Sequence, residues 1–160
     1  FPGRRTLYSE GASYLNEFGC IFLIDLNRFK EINDRYSHQV GDQILKEATR
    51  RFRESIDKDQ LLVRLGGDEF VLLLAKSEKP FIEIAQKIYA SLSYPIYIDS
   101  QEFSIGASVG YLVFADFLSS GKSLTIELAL EAVDKAMYRA KREKLGIARW
   151  HQSIDQPTIS

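Results

Sequence analysis

The chain has 160 residues, 45% of them hydrophobic, and a formal net charge of −1 at pH 7, which suits one domain with its own core and is too short for two. This net charge gives no overall basic surface, so binding to the phosphates of a nucleic acid is not indicated. A nucleotide is the favoured phosphate ligand. The single cysteine, Cys20, excludes a disulfide within the chain and indicates a small buried hydrophobe in a reducing compartment.

No segment has the length of a membrane span or the composition of a signal peptide. We therefore expect a cytoplasmic domain, excised from a longer protein that could itself be membrane-anchored, and no direct membrane contact by this domain.

The first half of the chain predicts helices alternating with strands. Apolar spacing predicts a helix over residues 6–17 and a longer one over 40–55, with a short helical turn near Phe29. Residues 19–24 form an apolar run that ends at Asp25, as expected of a central strand covered on both faces. A hairpin then follows, with strands over 61–63 and 71–74.

The second half predicts a helix over 80–92, a strand pair over 97–99 and 102–107, a strand over 108–114, and a last helix over 125–144. Trp150 closes a short final strand. This order predicts a mixed α/β (α+β) fold of the ferredoxin-like kind, mostly antiparallel, with helices mainly on one side. A doubly wound parallel sheet is the weaker alternative. Residues 1–150 form the domain, and the polar residues 151–160 are predicted as a tail or linker.

The connection of the hairpin is the main indication of function. Gly66 and Gly67 join its strands and are expected to supply the positive φ angles of a two-residue turn. Lacking Cβ atoms, they also allow a planar ligand to approach the backbone. Asp68 and Glu69 follow directly, although an acidic pair after such a turn is also common as a solvated strand start.

A further carboxylate, Asp25, lies at the end of the predicted central strand. Ligands collect at such strand ends. If this strand lies beside the hairpin, Asp25 and Asp68 face each other across a space suited to Mg²⁺, which binds few protein carboxylates and completes its shell with water and substrate phosphates.

Two segments together resemble a known family. They are Asp25 to Asp42, which reads DLNRFKEINDRYSHQVGD, and Arg64 to Phe70, which reads RLGGDEF. Both resemble the GGDEF domain of bacterial diguanylate cyclases, and the resemblance continues through residues 108–110 (SVG) and 132–141 (AVDKAMYRAK). It covers nearly the whole chain, from Phe1 to about Trp150.

The resemblance implies a palm-like sheet of the nucleotidyl-cyclase type and a transferase activity. Two GTP molecules, each held by one domain of a homodimer, would be joined with Mg²⁺ (or Mn²⁺) into cyclic di-GMP and pyrophosphate. Positioning and charge neutralisation dominate this kind of catalysis. The parent chain could also carry sensory or phosphodiesterase domains.

The resemblance also assigns site residues. The metal ligands would be Asp25, the Leu26 carbonyl, Asp68 and Glu69. The catalytic residues would be Asp68, Glu69 and Lys30. The substrate-binding residues would be Phe29, Lys30, Asn33, His38, Asp42, Gly66, Gly67 and Lys141.

Within this set, Asn33 and Asp42 match the guanine readers, since a carboxylate accepts from the N1 and N2 hydrogens of guanine and an amide complements its edge. Without a ligand, Asn33 would be read as a turn former and Asp42 as a helix cap.

The chain departs from the family pattern near both ends. Gly3 stands where asparagine is expected, and Lys144-Leu145-Gly146 replaces the usual Gly-Arg-Asn, which removes one cationic phosphate contact. The alternative function is therefore a catalytically weak GTP-binding regulatory domain, joined in its parent to a cyclic di-GMP phosphodiesterase. A polymerase-like palm or an adenylyl cyclase is disfavoured, because the basic nucleic-acid surface is missing and the guanine-matching residues are present.

Overall fold

The computed structural model describes residues 3–76 and 79–155. In chain order its elements are α1 (Arg4–Ser9), α2 (Gly11–Glu17), β1 (Phe18–Asn27), α3 (Phe29–Arg35), α4 (His38–Glu54), β2 (Leu61–Gly66), β3 (Glu69–Ala75), α5 (Phe81–Ser91), β4 (Ile96–Ile98), β5 (Gln101–Phe103), β6 (Gly106–Val113), α6 (Phe114–Leu118), α7 (Ile126–Arg142) and β7 (Ile147–Arg149).

The strands of the main sheet lie in the order β2-β3-β1-β6-β7. Strand β1 is central and runs antiparallel to both β3 and β6, whereas β7 pairs parallel to β6. Strands β4 and β5 form a separate hairpin. The predicted mostly antiparallel sheet flanked by helices is confirmed, and the doubly wound parallel alternative is wrong.

Helices cover both faces of the sheet, so the expectation that they pack mainly on one side is wrong. Phe22 and Ile24 of β1 belong to a core cluster that includes α4 and α5 residues. Ile21 and Leu23, which alternate with them, belong to a second cluster that includes α7. The cause is visible in the sequence, because β1 is apolar at successive positions and a strand of that kind needs cover on both faces.

Helix α7 lies unusually close to β6. A Cβ atom at Gly110 would lie 2.8 Å from the Val133 carbonyl oxygen and 2.7 Å from the Met137 Cα. Glycine is therefore required at position 110 for this helix to pack backbone against strand. This contact sets the position of everything that α7 presents at the end of the sheet.

Three local features differ from the predicted elements. The helix expected over residues 6–17 is divided at Glu10 into α1 and α2. The strand expected to end at Phe114 stops at Val113, where the short α6 begins. Trp150 follows β7 and does not lie within it. In the described ranges we find no helix with the length and apolar character needed to cross a bilayer.

The described part of the C-terminal segment folds back onto α7. The Asp155 carboxylate is buried and accepts two hydrogen bonds of 3.0 Å from the Arg139 guanidinium and one of 2.9 Å from the His151 amide. Phe1, Pro2 and residues 156–160, on which parts of the predicted start and tail fall, lie outside the described residues. Where the domain ends in its parent chain stays a prediction.

Lys144 provides a test of local backbone strain. It lies just beyond the C-cap of α7 with φ of 56°, a left-handed conformation in which glycine is the usual residue and in which other L-residues are strained by about 1–2 kcal/mol. We expect Lys144→Gly to raise the free energy of unfolding by about 0.5–1 kcal/mol, since the gain is reduced by the flexibility of glycine in the unfolded chain.

Urea denaturation of both proteins measures this difference. Lys144→Ala is the matched control, because it removes the same charge and keeps the Cβ atom. Equal midpoints for the glycine and alanine variants would contradict the strain at this position.

Candidate active site

Two carboxylates face each other across neighbouring strands at one end of the sheet. Asp25 of β1 pairs directly with Glu69 of β3 on one side and with Ser108 of β6 on the other. Because side chains alternate along a strand, Asp25 lies on the same face as Ile21 and Leu23, the face covered by α7. Like charges directly opposite each other are destabilising, so this position requires compensation.

The compensation comes from Lys141 near the end of α7. Its ammonium donates a hydrogen bond of 2.7 Å to the Asp25 carboxylate, which is itself 7% exposed. This hydrogen bond is the main cause that raises the pKa of Lys141. Lys141, predicted from the resemblance as a phosphate contact, is therefore the counter-ion of the buried Asp25 in this structure.

The hairpin that carries Asp68 is fixed to β1 through its backbone. The Leu26 amide donates to the Asp68 carbonyl oxygen at 3.0 Å, and the Arg64 guanidinium donates to the carbonyl oxygens of Gly66 and Gly67 at 3.4 and 3.1 Å. Asp68 is thereby held next to the end of the central strand, as the sequence predicts.

The expectation of positive φ angles at Gly66 and Gly67 is wrong. The glycines with positive φ in the described ranges are Gly121 and Gly146. The hairpin instead shows a register irregularity between Arg64 and Gly66, a feature that bends and twists a strand pair locally. A Cβ atom at Gly66 or Gly67 would meet nothing within 4 Å, so both positions are open to a ligand.

The negative charges of this cluster perturb one another. Burial, followed by the charge of Asp25, raises the pKa of Asp68 and of Glu69. Burial and Asp25 also raise the pKa of Asp134 on α7, while the Arg4 charge acts in the opposite direction on Glu69. A site that destabilises several carboxylates in their ionised form is one that favours a bound cation.

Asp134 and Arg4 are members of this site that the sequence reasoning missed. The signal for Asp134 was available, since it precedes Lys141 by seven residues, or about two helical turns, and so lies on the same face of α7. Arg4 had no such signal, because the contact of the N-terminal segment with the hairpin, where Gly3 bridges to Arg64, is tertiary.

The donor set fits a hard divalent cation. Asp25, Asp68 and the backbone of Leu26 meet at one strand end, and Mg²⁺ needs only one or two protein carboxylates. Across residues 3–76 and 79–155, no three His, Cys, Asp or Glu side chains are arranged as a complete metal site. Asp25 and Asp68 would therefore provide only part of the ligand set of a bound cation, with water and phosphates as the remaining ligands.

The second part of the predicted site lies on α3 and α4. Phe29 is buried at the start of α3 and Lys30 beside it is exposed. The Asn33 Oδ1 atom is buried without a hydrogen-bond partner among the described residues, and a Cβ atom at Gly41 would lie 2.9 Å from Asn33 Cγ. Glycine at position 41 therefore makes room for the Asn33 amide.

The positions of Asn33 and Asp42 do not agree with the turn-former and helix-cap alternatives. Asn33 lies inside α3, where it forms no turn, and Asp42 lies beyond the first turn of α4. The cap of α4 is Ser37, whose hydroxyl accepts from the Val40 amide at 3.2 Å. Asp42 is exposed next to Gly41, and His38 is the exposed first residue of α4.

A mostly antiparallel α/β sheet with a carboxylate cluster at the end of its central strand defines a palm-like domain of the nucleotidyl-cyclase type. The family model described as "Diguanylate cyclase, GGDEF domain" matches residues 6–146. The chain therefore belongs to the GGDEF family.

Individual relatives agree with this assignment. The diguanylate cyclase TpbB of Pseudomonas aeruginosa is 36% identical to this chain. The matched segment covers 99% of this chain and 36% of the relative. The crystal structure of its GGDEF domain superimposes with a TM-score of 0.82 at 32% identity, over 94% of this chain and 96% of that domain. The bifunctional diguanylate cyclase/cyclic di-GMP phosphodiesterase MucR of the same species is 35% identical over 76% of this chain and 17% of the relative. The chain thus spans about a third or less of these curated relatives.

The raised pKa of Glu69 predicts a pH-dependent gain in stability when its charge is removed. The pKa of Glu69 in the folded state lies above the usual value of about 4.3. Between these two pKa values the folded state binds more protons than the unfolded state, so the folded state loses stability as the pH rises from one to the other. We expect Glu69→Gln to raise the free energy of unfolding at pH 7 by up to about 1 kcal/mol, since the group is partly solvated, and by less at pH 4.

Urea denaturation at both pH values, without added divalent cations, measures this gain. Glu102→Gln, on the separate β4–β5 hairpin, controls for the loss of one negative charge. A stability difference for Glu69→Gln that is the same at pH 4 and pH 7 would contradict the charge repulsion.

Proposed function

We propose that this domain is a diguanylate cyclase that joins two GTP molecules into cyclic di-GMP and pyrophosphate across a homodimer. The observation that carries the proposal is the placement of Asp25 and Asp68 together at the end of β1, with Lys141 balancing the charge. The names of relatives that cover nearly the whole chain support the same activity.

The charged residues would have separate roles in phosphoryl transfer. A divalent cation, Mg²⁺ or Mn²⁺, held by Asp25, Asp68 and the Leu26 carbonyl, would supply neutralisation of the triphosphate. Lys30 and the Phe29 amide stabilise charge that grows in the transition state. The Lys141 ammonium would leave the Asp25 carboxylate and contact a phosphate of the substrate.

Glu69 is proposed as the residue that handles the proton of the attacking hydroxyl, or as a further metal contact. Its raised pKa brings it closer to the operating pH, where a general base works best. His38, the exposed first residue of α4, is proposed as a substrate contact, and Gly66 and Gly67 leave the backbone open to the nucleotide.

Asn33 and Asp42 are proposed as the guanine readers. A buried acceptor without a partner costs about 1–3 kcal/mol, and the Asn33 Oδ1 atom is such an acceptor. A guanine N–H would satisfy it, whereas the Asp42 carboxylate, exposed one residue after Gly41, is free to accept from the N1 and N2 hydrogens. Adenine offers a different pattern and would leave these groups unmatched.

Gly41→Ala tests whether Asn33 contacts the guanine base. The added methyl group collides with the Asn33 amide, so we expect the KM for GTP to rise about tenfold, equivalent to about 1.4 kcal/mol, with a smaller change in kcat and a weaker preference for GTP over ATP. Steady-state kinetics on the tethered dimer described next measure both quantities.

Gly3→Ala is the control for adding a methyl group, because a Cβ atom at that position meets nothing within 4 Å. An unchanged KM in a folded Gly41→Ala protein would argue against Asn33 as a base contact.

The decisive experiment uses two copies of the chain fused by a flexible linker. Each domain would hold only half of the reacting pair, and tethering raises the effective concentration to about millimolar. With Mg²⁺ and GTP we expect cyclic di-GMP, separated chromatographically, and we expect Asp68→Ala to lower its formation at least about a hundredfold, as for loss of a preorganised charge-stabilising group.

GTP that binds to the tethered dimer without conversion would favour the second candidate, a GTP-binding regulatory domain of weak activity. This candidate is favoured by the segment after α7. Lys144 there has a left-handed backbone conformation, and Leu145 is exposed where the family pattern has a cationic phosphate contact. Relatives such as the cyclic di-GMP phosphodiesterase PdeR of Escherichia coli, 33% identical over 79% of this chain and 18% of the relative, also contain a matching segment. In either case we propose a cytoplasmic location and further sensory or phosphodiesterase domains in the parent protein.

A further inference from the structure

Asn27, the last residue of β1, lies next to the carboxylate cluster at the end of the sheet. Side chains alternate along a strand, so Asn27 lies on the same face as Asp25, about 7 Å further along β1. This is the face covered by α7, from which Lys141 contacts Asp25. Asn27 also directly precedes the turn into α3, where Lys30 lies. A substrate that contacts both Asp25 and Lys30 would therefore pass close to Asn27.

The side chain of Asn27 is held by a buried hydroxyl group. Ser108 is 3% exposed, and its hydroxyl donates a hydrogen bond of 3.0 Å to the Asn27 Oδ1 atom. Ser108 is paired directly with Asp25 across β1 and β6. It lies two residues before Gly110, so its side chain is on the face on which α7 packs. A well-packed part of the sheet thus sets the orientation of the Asn27 amide.

The nitrogen of the Asn27 amide is a donor without a partner. An asparagine amide has one acceptor oxygen and two N–H donors, and Ser108 contacts the oxygen. The Nδ2 atom forms no hydrogen bond with any residue in the described ranges, and it is not among the side-chain atoms that are fully buried without a partner. It lies beside the start of β6, since a Cβ atom at Gly106 would be 3.5 Å from it. A ligand can therefore reach this donor.

The backbone after Asn27 indicates that this strand end is held in a defined position. Arg28 has φ of 67° and ψ of 9°, a left-handed conformation that residues other than glycine adopt only under strain. Helix α3 begins there without a side-chain cap. Backbone strain of this kind persists where the surrounding contacts determine it, and it is frequent at ligand-binding sites. The hydrogen bond from Ser108 to Asn27 is one such contact.

The charges of the cluster favour a neutral donor at this position. Burial and the Asp25 charge already raise the pKa values of Asp68, Glu69 and Asp134. A further acid at the end of β1 would add to this repulsion and would also repel a phosphate. An amide N–H instead binds a phosphate oxygen without adding charge, and a hydrogen bond to an ionised acceptor is stronger than one between neutral groups.

We propose that Asn27 is a further substrate contact, whose amide N–H donates to a phosphate oxygen of the nucleotide, and that Ser108 is the positioning residue that orients this amide. The contact rests on the proposed function, since the phosphates would lie between Asp25 and Lys30. Neither Asn27 nor Ser108 is among the site residues that the family resemblance assigns.

Calorimetric titration of the full 160-residue chain with 3′-deoxy-GTP and Mg²⁺ tests the contact, because this analogue lacks the attacking hydroxyl of the proposed reaction. Asn27→Asp keeps the size of the side chain and an oxygen for Ser108 but removes the donor. We expect its Kd to rise at least about tenfold, as for the loss of a hydrogen bond to a charged group. Asn16→Asp, the same substitution on α2 near the opposite end of β1, should leave the Kd unchanged.

Ser108→Ala separates positioning from a general loss of structure. It should raise the Kd about threefold in the unmodified chain and leave it unchanged in an Asn27→Ala chain, because Ser108 would act only through Asn27. A purely structural role would give the same loss in both backgrounds.

The Asn27 side-chain amide signals in a ¹H–¹⁵N spectrum provide a direct readout, since they are identified by their absence from the Asn27→Asp spectrum. They should move when 3′-deoxy-GTP is added to saturation in the presence of Mg²⁺.

An unchanged Kd in a folded Asn27→Asp chain, or Asn27 amide signals that do not move, would overturn the contact and leave the proposed function in place. An equal effect of Ser108→Ala in both backgrounds would overturn the positioning role. If the unmodified chain does not bind 3′-deoxy-GTP at all, the proposed function itself fails, and this contact fails with it.

Discussion

The close packing of α7 on β6 at Gly110 determines the rest of the site. Because no side chain separates the two backbones, the helix lies low on the sheet and brings Lys141 within 2.7 Å of Asp25. A larger residue at position 110 would lift the helix and remove the only ammonium that the described residues place on this carboxylate. A constraint in the middle of the sheet thus controls the charge balance at its end.

Much of this fold was predictable because its signals are local. The apolar run before Asp25 indicates a covered strand, and the helical spacing of Ile44, Leu45, Ala48 and Phe52 indicates one buried face of α4. The hairpin is marked by two strand-like runs around Gly66 and Gly67. The helical period identifies α4, whereas the continuous apolar runs are identified as strands by their short length and by the glycine residues beside them.

The features that were missed depend on contacts distant in sequence. The helix over residues 6–17 divides next to Gly11, where a Cβ atom would lie 2.6 Å from the Ile126 side chain, a contact with α7 that no local pattern shows. The ion pair of Lys141 and Asp25 joins residues 116 positions apart. The dipeptide Gly66-Gly67 predicted positive φ angles, but neither glycine has one, and the hairpin has a register irregularity between Arg64 and Gly66 instead.

In the proposed cyclase, Lys141 would have two partners that it cannot contact at the same time, the Asp25 carboxylate and a phosphate of the substrate. Bonded to Asp25, the ammonium lowers the cost of placing a carboxylate at a nearly buried position. In the proposed mechanism, Asp25 and Asp68 would hold a cation that neutralises the Asp25 carboxylate in place of Lys141, and the Lys141 ammonium would then be available to a phosphate of the substrate. The lysine side chain is about half exposed, so such a change of partner would not disturb the core. Under this proposal, the same residue would stabilise the fold without substrate and neutralise charge when substrate is bound.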